Sequence, residues 1–231
     1  MPYIKLFAKD RSWRIRYQVA DRIMDLATGL GHEASQEVLL PFYSGFLKDG
    51  ESEVRTAALK QLSSFTKMLD ASAIVALVIP ALKALERDEF TYVRAALAEH
   101  LLAICPVIGH DATNQHVLPI FKNLLADTES EVRLNLFKRL NDLNGVVGVE
   151  SLNESIIPSL AELSKDRNWR TKLSVIEQFP ILARQLGQVF YNDRLSVISE
   201  AWLFDQIFTI REAAIQNYKE LCEIFGPQWA I

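Results

Sequence analysis

Residues 36–70 read QEVLLPFYSGFLKDGESEVRTAALKQLSSFTKMLD, with two apolar patterns on either side of one polar turn. The apolar residues after Asp49 follow the three- and four-residue spacing of an amphipathic helix: Val54, Ala57, Ala58, Leu62 and Phe65. Before Asp49, VLLPFYSGFL predicts a second, shorter helix that its proline bends or restarts. The stretch therefore predicts a pair of helices joined by a turn.

This pattern recurs every 39 residues, the interval from Asp10 to Asp49. Six aspartates keep this interval and a base follows each one six residues later: Asp10 and Arg16, Asp49 and Arg55, Asp88 and Arg94, Asp127 and Arg133, Asp166 and Lys172, Asp205 and Arg211. A proline lies eight residues before each of the first five aspartates, and Val197 takes the sixth place. We call the set of residues at one position of the 39-residue repeat a column. One more column holds five glycines and one aspartate, a residue type that tolerates a left-handed backbone: Gly31, Asp70, Gly109, Gly148, Gly187 and Gly226.

Such columns predict six tandem units near residues 1–31, 32–70, 71–109, 110–148, 149–187 and 188–231. A helix pair that is apolar on both sides cannot bury itself, so neighbouring pairs must stack into a continuous core. The period and the pairing predict an all-α fold, a right-handed α-solenoid of HEAT-type repeats in one array over residues 1–231. The first unit begins late and the last ends on apolar residues, so we expect the chain to be a fragment of a longer array.

Composition narrows the classes of partner and compartment. The formal net charge of −4 disfavours nucleic-acid binding, and no run of residues approaches the roughly 18 apolar residues of a membrane span. Cys105 and Cys222 occupy the same repeat position three units apart, which predicts two small buried residues and no disulfide. We expect an intracellular, cytoplasmic protein, with the nucleus left open as a second compartment.

No grouping of residues predicts catalysis, a metal site or a cofactor. The aspartate and base columns recur in all six units, whereas a catalytic site occurs once. We therefore predict that they form a structural ladder, in which each base bonds the aspartate of its own or the adjacent turn. His32-Glu33 and Glu99-His100 resemble the His-Glu pairs of iron-binding HEAT-repeat oxygenases, but they lie at non-equivalent positions. A non-enzyme is predicted over such an oxygenase or a HEAT-fold DNA glycosylase.

The turns between paired helices differ from one another. Two are polar, DGESEVR at 49–55 and DTESEVR at 127–133. The other four carry aromatic residues, and an arginine follows each tryptophan: Trp13 with Arg14, Phe90, Tyr92, Trp169 with Arg170, and Phe208. Each ring could fold over the end of its own first helix, or the turns could form a partner-binding surface. We favour the surface, because Trp, Tyr and Arg are the residues most enriched among interface hot spots.

The chain resembles the family of scaffolding A subunits of protein phosphatase 2A along its whole length. The stretches that carry the resemblance are DRSWRIRYQVADRI at 10–23, CPVIGHD at 105–111, ESEVRLNLFKRLNDLNGVVG at 129–148, IPSLAELSKDRNWR at 157–170 and AWLFDQIFTIREAAIQNYKELCEIFGPQWA at 201–230. Lys172 departs from the family pattern, which has arginine there.

This resemblance implies a non-catalytic scaffold whose intra-repeat turns bind two partners. Trp169-Arg170 and Phe208 match turns that contact the serine/threonine phosphatase catalytic subunit. Trp13-Arg14 matches a turn on the side of the regulatory B-type subunit. The alternative is another HEAT-repeat protein-binding module, such as a nuclear transport receptor or a vesicle-coat adaptor.

Overall fold

The computed structural model describes residues 2–137 and 157–230 of the chain. Every regular element in these two ranges is a helix, and neither range contains a strand. The chain divides into two compact units, Met1–Val147 and Gly148–Ile231. The fourth predicted repeat boundary, with Gly148, lies outside the described residues.

Helices alternate between two roles around the six aspartate turns. The first helix of each repeat precedes the turn: Pro2–Phe7, Leu40–Phe46, Ile79–Leu85, Leu118–Leu125, residues 157–163, and Ser196–Trp202. The second helix follows it: Trp13–Asp21, Ser52–Lys60, Thr91–His100, Ser130–Phe137, Trp169–Phe190 and Phe208–Phe225. Shorter segments lead on from the second helices: Ile23–Ala34, Leu62–Phe65, Ala71–Ala73, Cys105–Ala112, and 3₁₀ turns at Thr66–Met68, Leu101–Ile104 and Pro227–Ala230. The predicted helix–turn–helix order is therefore present at all six aspartates.

Glycines make the corners at which one repeat passes to the next. Gly31, Gly109 and Gly187 have φ angles of 82°, 80° and 81°, and Gly226 has 90°. Other residues rarely adopt this backbone because their Cβ atom clashes with it. The expectation that Asp70 would share it is wrong: Asp70 is extended, with φ −73° and ψ 144°. At that corner a 3₁₀ turn ends the preceding helix, so the chain reverses without a positive φ.

A wide π-helical turn precedes the first helix in four repeats: Ser35–Leu39, Ile74–Val78, Thr113–Val117 and Tyr191–Leu195. In three of them a proline sits at the start of the following helix, where its missing N–H costs no helical hydrogen bond. The fourth has Val197 at the equivalent position and keeps the same π-turn. The proline is therefore compatible with this turn and is not what creates it.

Two tyrosines fill equivalent parts of the core from different positions. Tyr43 is fully buried in unit 1, where its hydroxyl donates to the Ala58 carbonyl oxygen at 2.9 Å. The residue 156 positions later is Ser199, which leaves the space of a ring. Tyr191 supplies that ring in unit 2, and its hydroxyl lies 2.6 Å from the Ser199 hydroxyl. Burial raises the pKa of both tyrosines above the ordinary value, so both remain neutral donors.

One helical stretch, Thr91–Leu125, is long and apolar enough by composition to cross a membrane, the only one among the described residues. The sequence prediction overlooked it because the stretch joins several short segments across the positive-φ corner at Gly109. Protein contacts bury 56% of its most apolar window. Core helices of folded proteins pass the same test, so the stretch is weak evidence for a membrane span.

Glu86 is a carboxylate in a position that is otherwise apolar or small. The equivalent residues in the other repeats are Ala8, Leu47, Leu125, Ser164 and Leu203. The Glu86 side chain is only 5% exposed and lies at the C-terminal end of Ile79–Leu85, where the helix dipole disfavours negative charge. Its Oε1 accepts from the Asn123 amide at 3.1 Å, while Oε2 is buried without a hydrogen bond.

We predict that Glu86→Leu raises the free energy of unfolding by about 1–2 kcal/mol, because it removes an incompletely solvated carboxylate and restores the leucine of neighbouring repeats. Urea unfolding followed by circular dichroism measures the change. Glu86→Gln is the matched control: it keeps the shape, removes the charge and should give a smaller gain. A lower unfolding midpoint for Glu86→Leu would show that the carboxylate is stabilising.

Candidate functional site

Each intra-repeat turn is fixed by its aspartate. The carboxylate Oδ1 accepts the backbone N–H two residues later at 2.8–3.1 Å in all six turns, at Ser12, Glu51, Phe90, Glu129, Asn168 and Ile207. This local bond turns the chain so that the second helix starts three residues after the aspartate in every repeat. Trp13, Trp169 and Phe208 are consequently the first residues of their helices.

The bases six residues later join each turn to the next repeat. In unit 1, Arg16 contacts both carboxylate oxygens of Asp49 at 2.6 and 2.7 Å. The same fork joins Arg94 to Asp127 at 2.7 and 3.2 Å. Arg55 makes one hydrogen bond to Asp88, at 2.9 Å, while its Nε lies 2.7 Å from the other carboxylate oxygen without hydrogen-bond geometry. Each arginine also donates to the carbonyl oxygen of its own turn's aspartate, at 2.8–2.9 Å. The ladder thus uses the aspartate of the adjacent repeat and the backbone of its own.

The remaining ladder residues make parts of the same pattern. In unit 2, Lys172 reaches Asp205 with a single Nζ–Oδ2 contact of 2.6 Å, in place of the two-point arginine fork. Arg133 and Arg211 donate to the carbonyl oxygens of Asp127 and Asp205 in their own turns, at 2.5 and 2.7 Å. Asp10 and Asp166 accept the turn N–H described above.

The ladder changes the ionisation of its members. Burial raises the pKa of Asp49 and Asp127, but the hydrogen bonds donated by Arg16 and Arg94 and by the turn N–H outweigh it. The pKa of each carboxyl is therefore lower than usual, and Asp205 beside Lys172 behaves in the same way. These three aspartates are ionised at neutral pH and their charges are neutralised by their partners, so they serve the fold.

Each of the two tryptophan turns presents a tryptophan ring with an arginine guanidinium stacked beside it. The Arg14 guanidinium lies 4.7 Å from the centre of the Trp13 ring, and that of Arg170 lies 4.6 Å from Trp169. In both turns the tryptophan is half-buried and the arginine is exposed. We call these pairs the Trp–Arg plates. In the second, the Asn168 side chain accepts the Arg170 backbone N–H at 3.0 Å, which fixes the start of the plate.

The other predicted aromatics are more exposed. Phe208 is 66% exposed, with the Arg211 guanidinium 5.9 Å from its ring centre. Phe90 and Tyr92 are 39% and 46% exposed, and their ring centres lie 5.5 Å apart. None of the three is covered by its own first helix to the extent that a core residue is. All seven predicted partner-binding residues are accessible at least in part.

Sequence reasoning missed Phe204, which is 85% exposed and directly precedes the sixth turn aspartate. The equivalent residues are Lys9, Lys48, Arg87, Ala126 and Lys165, mostly long basic side chains. The available sequence signal was a phenylalanine at a position that is basic in most other repeats. Phe204 and Phe208 bracket the same turn, which makes it the most apolar of the described turns.

Cysteine and histidine residues add no further site to the turns. Cys105 is buried as predicted, whereas Cys222 is half-buried and lines a groove with Tyr218 and Trp229. Within residues 2–137 and 157–230, no three His, Cys, Asp or Glu side chains are grouped so as to hold a metal ion. His32 contacts Asp70 at 3.3 Å at the repeat corner, away from the turns.

Comparison with known proteins identifies the fold. A family model described as PPP2R1A-like HEAT repeat matches residues 33–109, which are the second and third predicted repeats. No curated protein sequence matches the chain significantly. Cex1p has a similar structure, with a TM-score of 0.73 at 14% identity over 97% of this chain and 42% of Cex1p.

A mutant of Kap121p gives a TM-score of 0.72 at 17% identity, over 99% of this chain and 24% of that one. A designed armadillo repeat protein in complex with peptide (KR)4 gives 0.59 at 14% identity, over 95% and 98%. The fold is a HEAT/armadillo-type α-solenoid. The predicted fold class is confirmed, and a solenoid with exposed aromatic turns supports a protein-binding scaffold.

Proposed function

We propose that this chain is a non-catalytic, cytoplasmic scaffold that holds a phosphatase 2A-type catalytic subunit and a regulatory B-type subunit on its intra-repeat turns. The match of residues 33–109 to a PPP2R1A-like HEAT repeat supports this family. The likeness of the turn sequences to scaffolding A subunits, described above, supports these two partners. The scaffold contributes geometry: it sets which substrates the bound catalytic subunit can reach.

The Trp–Arg plates are the observation that carries the proposal. The repeat does not need them, because the turns at 49–55 and 127–133 make the same aspartate bond without an aromatic ring. A polar turn therefore suffices for the repeat, and the fold gives no reason to expose part of an indole in two separate units. A tryptophan whose face is paired with an exposed guanidinium offers a partner a rigid apolar contact and a cation together, the combination typical of hot spots.

A second candidate function is a solenoid receptor or adaptor of another kind. The structural likeness to Kap121p and Cex1p, at TM-scores of 0.72 and 0.73, favours it. On this alternative the same exposed turns bind other partners, and a phosphatase catalytic subunit does not associate.

The test is a binding titration of the chain with a purified phosphatase 2A-type catalytic subunit, by calorimetry or surface plasmon resonance. We expect association, and we expect Trp169→Ala/Arg170→Ala to weaken it by about 30-fold, the loss of a hot spot worth about 2 kcal/mol. The arginine is exposed and the ring half-buried, so helicity should be retained; circular dichroism checks this.

The matched control is Trp13→Ala/Arg14→Ala, which removes the same pair of side chains from the other unit. It should leave catalytic-subunit affinity within about 3-fold and weaken association of a B-type subunit instead. Absence of binding by the unmodified chain, or equal binding by the Trp169→Ala/Arg170→Ala variant, would favour the alternative receptor.

A further inference from the structure

The second and third turns of unit 1 form an aromatic surface that is distinct from the Trp–Arg plates. Phe90 and Tyr92 come from the third turn, and their rings are tilted by 42° with centres 5.5 Å apart. Both are partly exposed. The Arg55 guanidinium of the preceding repeat lies 5.9 Å from the Phe90 ring centre, and Asp88 neutralises its charge. The Phe90 ring therefore already lies near one guanidinium group of the chain itself.

A chain of hydrogen bonds holds Tyr92 beside a carboxylate of the second turn. The Ser52 hydroxyl lies 3.1 Å from Glu53 Oε2 and 2.5 Å from the Tyr92 hydroxyl. Because an ionised carboxylate can only accept, Ser52 donates to Glu53 and Tyr92 donates to Ser52. The ring is therefore fixed across the junction of the two repeats, with the exposed Glu53 carboxylate next to it.

Glutamates give this part of unit 1 a negative charge that the ladder does not neutralise. Outside the ladder aspartates and arginines, residues 47–55, 86–94 and 126–133 contain six glutamates and two bases. Glu51, Glu53 and Glu89 are exposed on the two turns around the rings. The exposed bases there are Lys48 and Arg87, and Arg87 lies 3.8 Å from Glu86. The first turn has the opposite charge, because its bases Lys9, Arg11 and Arg14 outnumber its acid Asp10.

We infer that the second and third turns bind a basic segment of a protein partner, with a lysine or arginine side chain against Phe90 and Tyr92 and the flanking glutamates around it. Aromatic faces attract cations, and the neighbouring carboxylates also attract a cation. An acidic segment is repelled here and suits the basic first turn. The inference rests on the proposed function only in that the turns are protein-binding, and it names the partner chemistry for one pair of turns.

The probe is an octapeptide of alternating lysine and arginine, labelled for fluorescence anisotropy and titrated with the full chain. An octapeptide of glutamate is the comparison ligand. We expect the basic peptide to bind at least about 10-fold more tightly than the acidic one, and to weaken as salt is raised. Phe90→Ser/Tyr92→Ser, which leaves the net charge unchanged, should weaken binding of the basic peptide by about 10-fold.

Two further variants separate a specific site from general attraction to an acidic protein. Glu51→Gln/Glu53→Gln and Glu129→Gln/Glu131→Gln each remove two carboxylates, but only the first pair includes a carboxylate, that of Glu53, joined through Ser52 to the Tyr92 hydroxyl. The first should weaken binding by about 10-fold and the second by less than about 3-fold. Phe90→Leu keeps an apolar side chain without an aromatic face, and should also lose affinity if the serine variant does not fold.

Equal losses for the two glutamine pairs, or unchanged binding by Phe90→Leu and by Phe90→Ser/Tyr92→Ser, would overturn the inference. Its failure is distinguishable from that of the proposed function, because Trp169→Ala/Arg170→Ala is read on the catalytic subunit and should not change peptide affinity. A chain that binds the peptide and no catalytic subunit would retain this site and lose the phosphatase assignment.

Discussion

Replacing Arg94 with methionine should lower the free energy of unfolding by about 4 kcal/mol. Arg94 forms a two-point contact with Asp127, whose side chain is only 7% exposed. Methionine retains most of the apolar packing but leaves the Asp127 carboxylate buried without its cation. Breaking one side of such a pair costs more than the pair contributes, because the remaining charge is desolvated and uncompensated. Urea unfolding at pH 7, followed by circular dichroism, measures the change.

Two variants test that explanation. Arg94→Lys reproduces the Lys172–Asp205 contact of unit 2 and should lose about 1–2 kcal/mol, since the charge is kept while one bond to Asp127 and the bond to the Asp88 carbonyl oxygen are lost. Arg94→Met/Asp127→Asn removes both charges while the asparagine oxygen can still accept the Glu129 N–H, so it should be more stable than Arg94→Met alone. A loss below about 1 kcal/mol for Arg94→Met would mean that Asp127 is well solvated.

The same ladder predicts how stability depends on pH. The pKa of Asp49, Asp127 and Asp205 is lower in the folded chain than in the unfolded chain. Their contribution is fully present above the unfolded-state pKa of about 4 and is lost as the pH falls toward the folded values. The difference in stability between the unmodified chain and Arg94→Met should therefore shrink when unfolding is measured below pH 4.

Periodicity predicted the helix pairs and the ladder residues because both depend on contacts that repeat. The glycine corners and the aspartate turns need only a local backbone geometry. The contact between Arg16 and Asp49, 33 residues apart, follows once equivalent turns of neighbouring repeats are adjacent. Asp70 was missed because an extended corner achieves the same reversal, and the column cannot distinguish the two. The π-turns were not predicted, since the pattern of apolar residues is nearly the same for α and π turns.

The exposure of the turn aromatics could not be read from the sequence. A tryptophan at the first position of a helix can pack inward or face solvent, and the difference depends on neighbours from other repeats. Arg14 and Arg170 follow their tryptophans and stack on them, which a pattern of residue types does not specify. Phe204 could have been noticed from the sequence, because most equivalent residues in the other repeats are basic. The partners of these turns stay a prediction.

Asn217→Ala should lower the free energy of unfolding by about 3 kcal/mol. Pro180 lies within the helix Trp169–Phe190 and has no N–H to donate to the carbonyl oxygen of Ile176, four residues earlier. The Asn217 amide supplies the missing donor from the neighbouring helix, at 2.7 Å, and its side chain is buried. Truncation leaves a buried carbonyl without a partner and a cavity beside it.

Pro180→Ala provides a double-mutant cycle for this explanation. The substitution restores a backbone N–H that can bond the Ile176 carbonyl oxygen, so in that background Asn217→Ala should cost only about 1 kcal/mol. Asn135 is the matched control in unit 1: its amide donates to Ala95 at 3.1 Å, but residue 99 there is not proline and helical geometry gives that carbonyl its own donor. Asn135→Ala should therefore cost less than Asn217→Ala. Equal costs for Asn217→Ala with and without Pro180 would show that the amide acts by packing alone, and that the helix tolerates its unpaired carbonyl.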